Sequence, residues 1–147
     1  MVSPLAEYFR TVTYYDIAPA IGFPQGDFLS ESRKFDVVIT NPPYGRMTDQ
    51  FVQKAKEITK LKFAFLLRTN YLSGQTRFNQ GIYGGLRSVY IFTRMPDLRS
   101  KVRDDGKYTT AGIVYAWMIW EIGYTGSPQF DWIDNQQYVL KKREAEC

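Results

Sequence analysis

The residues best suited to chemistry are Asn41, Pro42, Pro43 and Tyr44, which directly follow an apolar run. Two prolines remove two backbone donors and fix two φ angles, and Asn41 is held extended because it precedes Pro42. The side-chain oxygen of Asn41 and the carbonyl of Pro42 can then both accept hydrogen bonds from one exocyclic amino group. Tyr44 can stack on a planar ring. This Asn-Pro-Pro-Tyr turn predicts a site for an amino group; an ordinary rigid turn, with Tyr44 merely packing, is the alternative.

Such a site needs no ionisable base, which agrees with the composition of the chain. The sequence has no histidine, which excludes Ser-His-Asp triads and His-ligated zinc. Its one cysteine, Cys147, can build neither a disulfide framework nor a Cys-based metal site, so no metal is expected. The net charge of +4 favours a polyanionic partner only weakly. Without a signal peptide or an apolar run of membrane-spanning length, we expect a cytoplasmic protein.

Acidic residues lie in two earlier segments that we predict to be strands. Residues 11–17 are rich in β-branched and aromatic side chains and include Asp16 and Ile17 at their end; residues 26–29 form a shorter candidate that contains Asp27 and Phe28. In doubly wound sheets, ligands bind beyond the carboxyl ends of the strands. These positions therefore predict a ligand site, with a loop-capping Asp16, a turn acid at Asp27 and a core aromatic at Phe28 as the alternatives.

The elements that must position these residues form an α/β pattern. The run at 35–40 is apolar on both faces, as in a parallel sheet covered by helices. The spacing of apolar residues predicts a helix over 48–59 with Thr48 as its N-cap. We predict a loop with broken helix over 68–87 and a single domain over 1–140, followed by a charged tail over 141–147. Further strands are expected at 61–67, 88–93, 112–122 and 130–133, of which 88–93 and 112–122 would form an antiparallel pair closing a mostly parallel sheet.

The turn resembles the catalytic signature of the S-adenosylmethionine-dependent amino-methyltransferases, which include the DNA adenine-N6 methyltransferases. The resemblance rests on the Asn-Pro-Pro-Tyr turn after residues 35–40, and residues 115–121 with 123–126 are similar to prophage-type adenine methyltransferases. It implies Asn41, Pro42, Pro43 and Tyr44 as catalytic residues. It also implies a Rossmann-like fold and S-adenosylmethionine as cofactor. The adenosine part would be held by Asp16, Ile17, Asp27 and Phe28.

The chain departs from this family at its beginning. The glycine-rich turn that follows the first strand in the family, and that strand itself, are not found before Pro4 or at the later glycines. We therefore expect an incomplete Rossmann-like methyltransferase sheet with its first strand missing. Open sheet edges invite pairing, so we expect either a rearranged sheet or a homodimer that completes the sheet.

The resulting expectation is methyl transfer to the exocyclic amino group of adenine in DNA. Basic residues in 68–87 and 94–110 would contact phosphates, since the chain shows no separate recognition domain. Two alternatives stay open. One is the same chemistry on RNA or on a protein glutamine, and the other is a non-catalytic nucleic-acid-binding or interaction module derived from a methyltransferase.

Overall fold

A computed structural model of the chain describes residues 2–18, 24–93 and 113–134. The chain divides into two compact units, Met1–Arg33 and Lys34–Cys147. The sequence prediction of one domain over 1–140 is not tested by this division and stays a prediction, and the charged tail over 141–147 lies outside the described residues.

The first unit contains a short helix, α1 (Val2–Ala6), and one turn of 3-10 helix at Phe28–Ser30. The strand predicted over 11–17 is wrong, because this segment makes only one isolated bridge, between Asp16 and Gln25. A β-propensity becomes a strand only where a neighbouring strand pairs with it. The strand predicted over 26–29 is also wrong. Asp27 caps the 3-10 turn instead, and its side chain accepts a hydrogen bond from the Leu29 amide over 3.0 Å.

The second unit carries the sheet that was predicted from residue 35 onward. The strand β1 (Phe35–Thr40) has the predicted bounds, and the helix and the other strands predicted from residue 48 onward occur with ends that differ by at most three residues. The segment after β2 contains a 3-10 turn and a short helix, as the prediction of a loop with broken helix required. The elements are α2 (Arg46–Ile58), β2 (Thr59–Arg68), a 3-10 turn (Thr69–Leu72), α3 (Gln75–Asn79), β3 (Leu86–Phe92), β4 (Tyr115–Glu121) and β5 (Gln129–Ile133).

The five strands form one open mixed sheet in the order β1-β2-β4-β3-β5. The pairs β1–β2 and β3–β5 are parallel, whereas β4 runs antiparallel to both β2 and β3. The predicted antiparallel pairing of β3 with β4 is therefore confirmed. Its predicted place is wrong, because β4 lies inside the sheet and β5 forms the edge. The α/β class is confirmed in this form, a mixed sheet with one antiparallel strand.

The core lies on the face of the sheet against which α2 packs. The helix buries Phe51, Val52, Ala55 and Ile58, which recur at helical spacing. Because side chains alternate along a strand, β2 and β4 place every second residue on this face. The buried apolar residues of these two strands are Phe63, Phe65 and Leu67 of β2 and Ala116, Met118 and Trp120 of β4.

Trp120 fixes the centre of this core. Its ring stacks on Phe63 with centroids 5.0 Å apart and an interplanar angle of 6°. Its indole nitrogen donates a hydrogen bond of 3.1 Å to the carbonyl of Ile82, so the loop before β3 is tied to the sheet. Among the described helices, none is long and apolar enough to cross a membrane.

Candidate active site

The Asn-Pro-Pro-Tyr turn links the carboxyl end of β1 to α2. Pro42 is buried, whereas Asn41 and Tyr44 are exposed. Gly45 follows at φ +99°, a conformation that favours glycine, and it is the N-cap residue of α2. The prediction of Thr48 as N-cap is therefore wrong, because the helix begins two residues before Thr48.

Thr48 has a different task at this turn. Its buried hydroxyl donates a hydrogen bond of 2.8 Å to the carbonyl of Pro43. This bond ties the turn to the first turn of α2 and occupies the Pro43 carbonyl. The first turn of α2 therefore fixes the position of the two prolines. The Pro43 carbonyl already accepts a hydrogen bond from the protein.

Asn41 and Tyr44 interact with each other across the turn. The Tyr44 hydroxyl donates a hydrogen bond of 2.9 Å to Oδ1 of Asn41. The bond identifies Oδ1 as an acceptor that faces the turn. An amide oxygen has two lone pairs, so Oδ1 can accept a second hydrogen bond from an incoming amino group.

The ring of Tyr44 has two neighbours from the sheet. The ring centroid of Tyr115 lies 5.8 Å from that of Tyr44, with an interplanar angle of 50°. The guanidinium carbon of Arg68 lies 5.1 Å from the same centroid. Tyr44 remains 38% exposed, so part of its ring can still receive a planar ligand. Sequence reasoning missed Tyr115 in this role and counted Arg68 only among the basic loop residues.

A second cluster fixes the segment after β2 to the start of α2. Asp49 accepts hydrogen bonds from the Tyr71 hydroxyl over 2.7 Å and from Nε of Arg77 over 2.9 Å. The Arg77 guanidinium also lies 4.4 Å from the centroid of the Tyr71 ring. Tyr83 donates to the Tyr71 carbonyl over 2.8 Å. Asp49 follows the turn by five residues, so the cluster holds the loop beside the site.

Burial raises the pKa of Tyr71, and the hydrogen bond to the Asp49 carboxylate raises it further. The phenol therefore stays protonated and continues to donate to Asp49 throughout the neutral range. This cluster was not predicted, because Asp49 and Arg77 are 28 residues apart and neither belongs to a recognisable motif.

The four predicted cofactor residues all lie in the first unit. Asp16 is exposed, and its Oδ1 accepts a hydrogen bond of 2.9 Å from the Ala18 amide. A carboxylate has about four acceptor positions, so Asp16 retains the capacity to bind hydroxyl groups. Ile17 is 64% exposed and presents an apolar surface. By chemical type, Asp16 can bind the hydroxyls of a ribose, and Ile17 can contact the ring beside it.

Asp27 and Phe28 are tied to the 3-10 turn. The two carboxylate oxygens of Asp27 accept hydrogen bonds from the Leu29 amide and the Ser30 hydroxyl, at 3.0 and 2.9 Å. Phe28 begins the turn and is half-buried. In the structure, Asp27 is therefore the turn acid of the alternative interpretation. The ring of Phe28 is half-buried, so part of its surface can still contact a purine.

The basic residues of the predicted recognition loops have varied surroundings. Arg87 lies in β3, where it contacts the ring of Tyr124 at 4.7 Å and pairs with Glu121 at 3.6 Å. Arg77 is bound to Asp49. The loop over 94–110 lies outside the described residues. Within the part of the chain that the structure describes, no group of three or more acidic, cysteine or histidine residues can hold a metal ion.

Comparison with known proteins finds likenesses among solved structures and to one family, and no curated protein matches the sequence. The solved structure of a predicted O-methyltransferase from Agrobacterium tumefaciens is 14% identical, with a TM-score of 0.42. The match covers 74% of this chain and 50% of that protein, so the chain spans about half its length. Residues 7–76, just under half of the chain, match the Eco57I restriction-modification methylase family, and they contain Asp16, Asp27 and the Asn-Pro-Pro-Tyr turn.

Proposed function

We propose that the chain transfers a methyl group from S-adenosylmethionine to the exocyclic amino group of adenine in DNA. The observation that carries the proposal is the Asn-Pro-Pro-Tyr turn, in which Tyr44 orients the Asn41 amide and Thr48 holds Pro43. A rigid pair of acceptors at a strand end can hold a neutral amino group in place. No base has to remove a proton from that group before the reaction.

In this proposal, Oδ1 of Asn41 and the carbonyl of Pro42 each accept one hydrogen of the amino group. The nitrogen lone pair then points away from both acceptors and stays available to an electrophilic methyl group. As the nitrogen bonds to the methyl carbon, the bond from that carbon to sulfur would break, with its electron pair left on the departing neutral thioether. The nitrogen becomes positive, and the two oxygens stabilise that charge. Fixed dipoles that face a developing charge act in this way because they need no reorganisation during the reaction. One proton of the positive nitrogen then passes to solvent water, which restores a neutral amine.

S-adenosylmethionine supplies an electrophilic methyl group when it is bound. By chemical type, Asp16 would accept hydrogen bonds from ribose hydroxyls, and Ile17 and Phe28 would contact the adenine ring. Asp27 already accepts two hydrogen bonds within its own turn, so any further bond to a ligand would use its remaining lone pairs.

Two observations favour DNA as the substrate. The matching family is named as a restriction-modification methylase, and such enzymes act on DNA. The half-exposed ring of Tyr44 suits a base that has been turned out of the helix, since extruded bases are commonly stacked on aromatic side chains. RNA and a protein glutamine remain the alternative acceptors for the same turn.

The test is incubation of the intact chain with S-adenosylmethionine labelled in its methyl group. The acceptors are unmethylated genomic DNA, RNA and a glutamine-containing peptide, with N6-methyladenine measured by mass spectrometry. The proposal expects label in DNA adenine, and about 10²–10³-fold slower labelling with Asn41→Ala. Label in RNA or in the peptide would show that the substrate is not DNA, but it would support the same methyl transfer to an amino group.

Calorimetric titration with S-adenosylmethionine tests the cofactor residues separately. Asp16→Ala is expected to weaken binding, whereas Asp131→Ala, which removes an exposed acid of β5, should leave it unchanged. No binding by the wild-type chain, together with no transfer to any acceptor, would favour the non-catalytic module.

A further inference from the structure

Arg68 is a residue of the site to which the proposed chemistry gives no task. It ends β2, and in the pairing of β2 with β4 it is the direct partner of Tyr115. Both side chains contact the ring of Tyr44, Arg68 at 5.1 Å and Tyr115 at 5.8 Å. Two cross-strand neighbours of the sheet therefore meet on the phenol that orients Asn41.

The position of the Arg68 guanidinium is explained better by its contact with the Tyr44 ring than by hydrogen bonding. A guanidinium within about 6 Å of an aromatic centroid is attracted to the negative face of the ring. Nε of Arg68 is buried, and among the described residues it has no hydrogen-bond partner. Buried donors without an acceptor are uncommon, and each calls for a reason that outweighs its cost. Here the contact of the guanidinium with the ring of Tyr44 offsets that cost.

We infer that Arg68 is a positioning residue for Tyr44. Its guanidinium, with Tyr115 beside it, holds the phenol so that the hydroxyl reaches Oδ1 of Asn41. The effect passes from Arg68 through the ring to the orientation of the amide. The effect of Arg68 on the reaction rate rests on the proposed function. The orientation of the Asn41 amide can be measured whether or not the chain transfers methyl groups.

The chain offers a matched control in Arg87. Its guanidinium carbon lies 4.7 Å from the centroid of Tyr124, and its Nη1 donates to the Tyr124 hydroxyl over 3.1 Å. This pair repeats the arginine–tyrosine contact near the beginning of β3. Since β1 and β3 run in the same direction, that position is at the other end of the sheet from the Asn-Pro-Pro-Tyr turn.

The first measurement uses nuclear magnetic resonance on the full chain. The side-chain amide signals of Asn41 and the ring signals of Tyr44 are assigned with Asn41→Asp and Tyr44→Phe. Arg68→Met should shift or broaden both sets, and Arg68→Lys should keep them near their wild-type positions because an ammonium group still sits against the ring. Arg87→Met should move the Tyr124 signals and leave those of Asn41 and Tyr44 unchanged.

The second measurement is methyl transfer under single-turnover and steady-state conditions. Arg68→Met should lower kcat by about tenfold or more, with a KM change below about threefold, because a misplacement of about 1 Å can cost up to about 10²-fold in rate. Arg68→Lys should recover most of the rate. A uniform loss of folded protein would lower active enzyme in both variants and would show no such rescue.

The outcomes are separable. Unchanged Asn41 and Tyr44 signals in Arg68→Met overturn the positioning role, as do equal changes in Arg87→Met. Changed signals with an unchanged kcat overturn its catalytic consequence. If the wild-type chain transfers no methyl group, the proposed function fails while the spectra still decide the role of Arg68. Should Arg68→Met not fold, Arg68→Gln replaces it, since it keeps a planar group but removes the charge.

Discussion

The hydroxyl of Tyr44 donates a hydrogen bond of 2.9 Å to Oδ1 of Asn41, across the two prolines that separate them. The bond places the two functional side chains of the turn in one arrangement, with the amide oxygen fixed as an acceptor. It also means that an incoming amino group must share Oδ1 with the phenol, which the two lone pairs of that oxygen permit.

Tyr44→Phe tests whether this bond orients the amide. The variant keeps the ring contacts with Arg68 and Tyr115 but leaves Asn41 without its donor. A neutral hydrogen bond contributes about 0.5–1.5 kcal/mol, so kcat should fall about 2- to 10-fold. Asn41→Ala removes an acceptor that faces the developing charge and should lower kcat by about 10²–10³-fold. Both rates are measured as single-turnover methyl transfer.

Tyr8→Phe is the matched control for the loss of a phenol oxygen, because Tyr8 is 81% exposed. It should transfer methyl groups at the wild-type rate. A Tyr44→Phe variant faster than wild type would show that the phenol competes with the substrate for Oδ1, which contradicts an orienting role.

Thr48→Val tests the tie between α2 and the proline pair. Valine has nearly the shape of threonine, but it leaves the Pro43 carbonyl without the donor it has at 2.8 Å. Pro43 is exposed, so its carbonyl can turn to water, and the free energy of unfolding in urea should fall by the net contribution of one hydrogen bond, about 0.5–1.5 kcal/mol. Thr48→Ser keeps the hydroxyl and should retain most of the hydrogen-bond contribution. Equal losses in the two variants would assign the effect to packing.

The parts of this site that the sequence predicts are those fixed by neighbours along the chain. The strand at 35–40 and the turn after it follow from an apolar run that ends at two prolines. The contacts of Tyr44 with Arg68 and Tyr115 depend on β4 entering the sheet beside β2. No local pattern encodes this strand order, because it arises from pairing between segments about 50 residues apart. For this reason, Arg68 was grouped with the basic loop residues that were expected to contact phosphates.

The wrong predictions upstream have a related cause. The composition of residues 11–17 suits a strand, but only the bridge of Asp16 with Gln25 is formed. Asp27 supplies its own local alternative to a strand, since its carboxylate caps the following 3-10 turn. The strand predicted over 11–17 required a partner strand distant in the sequence. In the strand predicted over 26–29, the Asp27 side chain competed with a sheet for the backbone donors.

Tyr71→Phe tests the raised pKa of the Tyr71 phenol. In the unfolded chain this group ionises near pH 10, whereas in the folded chain burial and Asp49 raise its pKa. Above pH 10 the unfolded state has lost a proton that the folded state retains, so stability contributed by Tyr71 is present below pH 10 and declines as pH rises. One such group lowers the free energy of unfolding by about 1.4 kcal/mol per pH unit.

The measurement is urea unfolding of both proteins between pH 9 and pH 11. The wild-type free energy of unfolding should fall more steeply with pH than that of Tyr71→Phe, by the slope of one group. Tyr71→Phe also loses the hydrogen bond to Asp49, which lowers stability by a constant amount and does not alter this difference. Parallel pH curves would show that Tyr71 ionises in the folded protein as readily as in the unfolded chain.

Trp120→Phe tests the centre of the core, and Trp132→Phe is its matched control. Trp120 is 1% exposed and donates to the Ile82 carbonyl, whereas Trp132 is 66% exposed on β5. Loss of the indole leaves that carbonyl unsatisfied, at a cost of about 1–3 kcal/mol, and the smaller ring adds a cavity against Phe63. The control should change stability by no more than about 0.5 kcal/mol. Circular dichroism in urea measures both, because it does not depend on the tryptophan that is removed. A similar loss in the two variants would mean that Trp132 is covered in solution, and an unchanged Trp120→Phe would contradict the packing of the loop before β3 on the sheet.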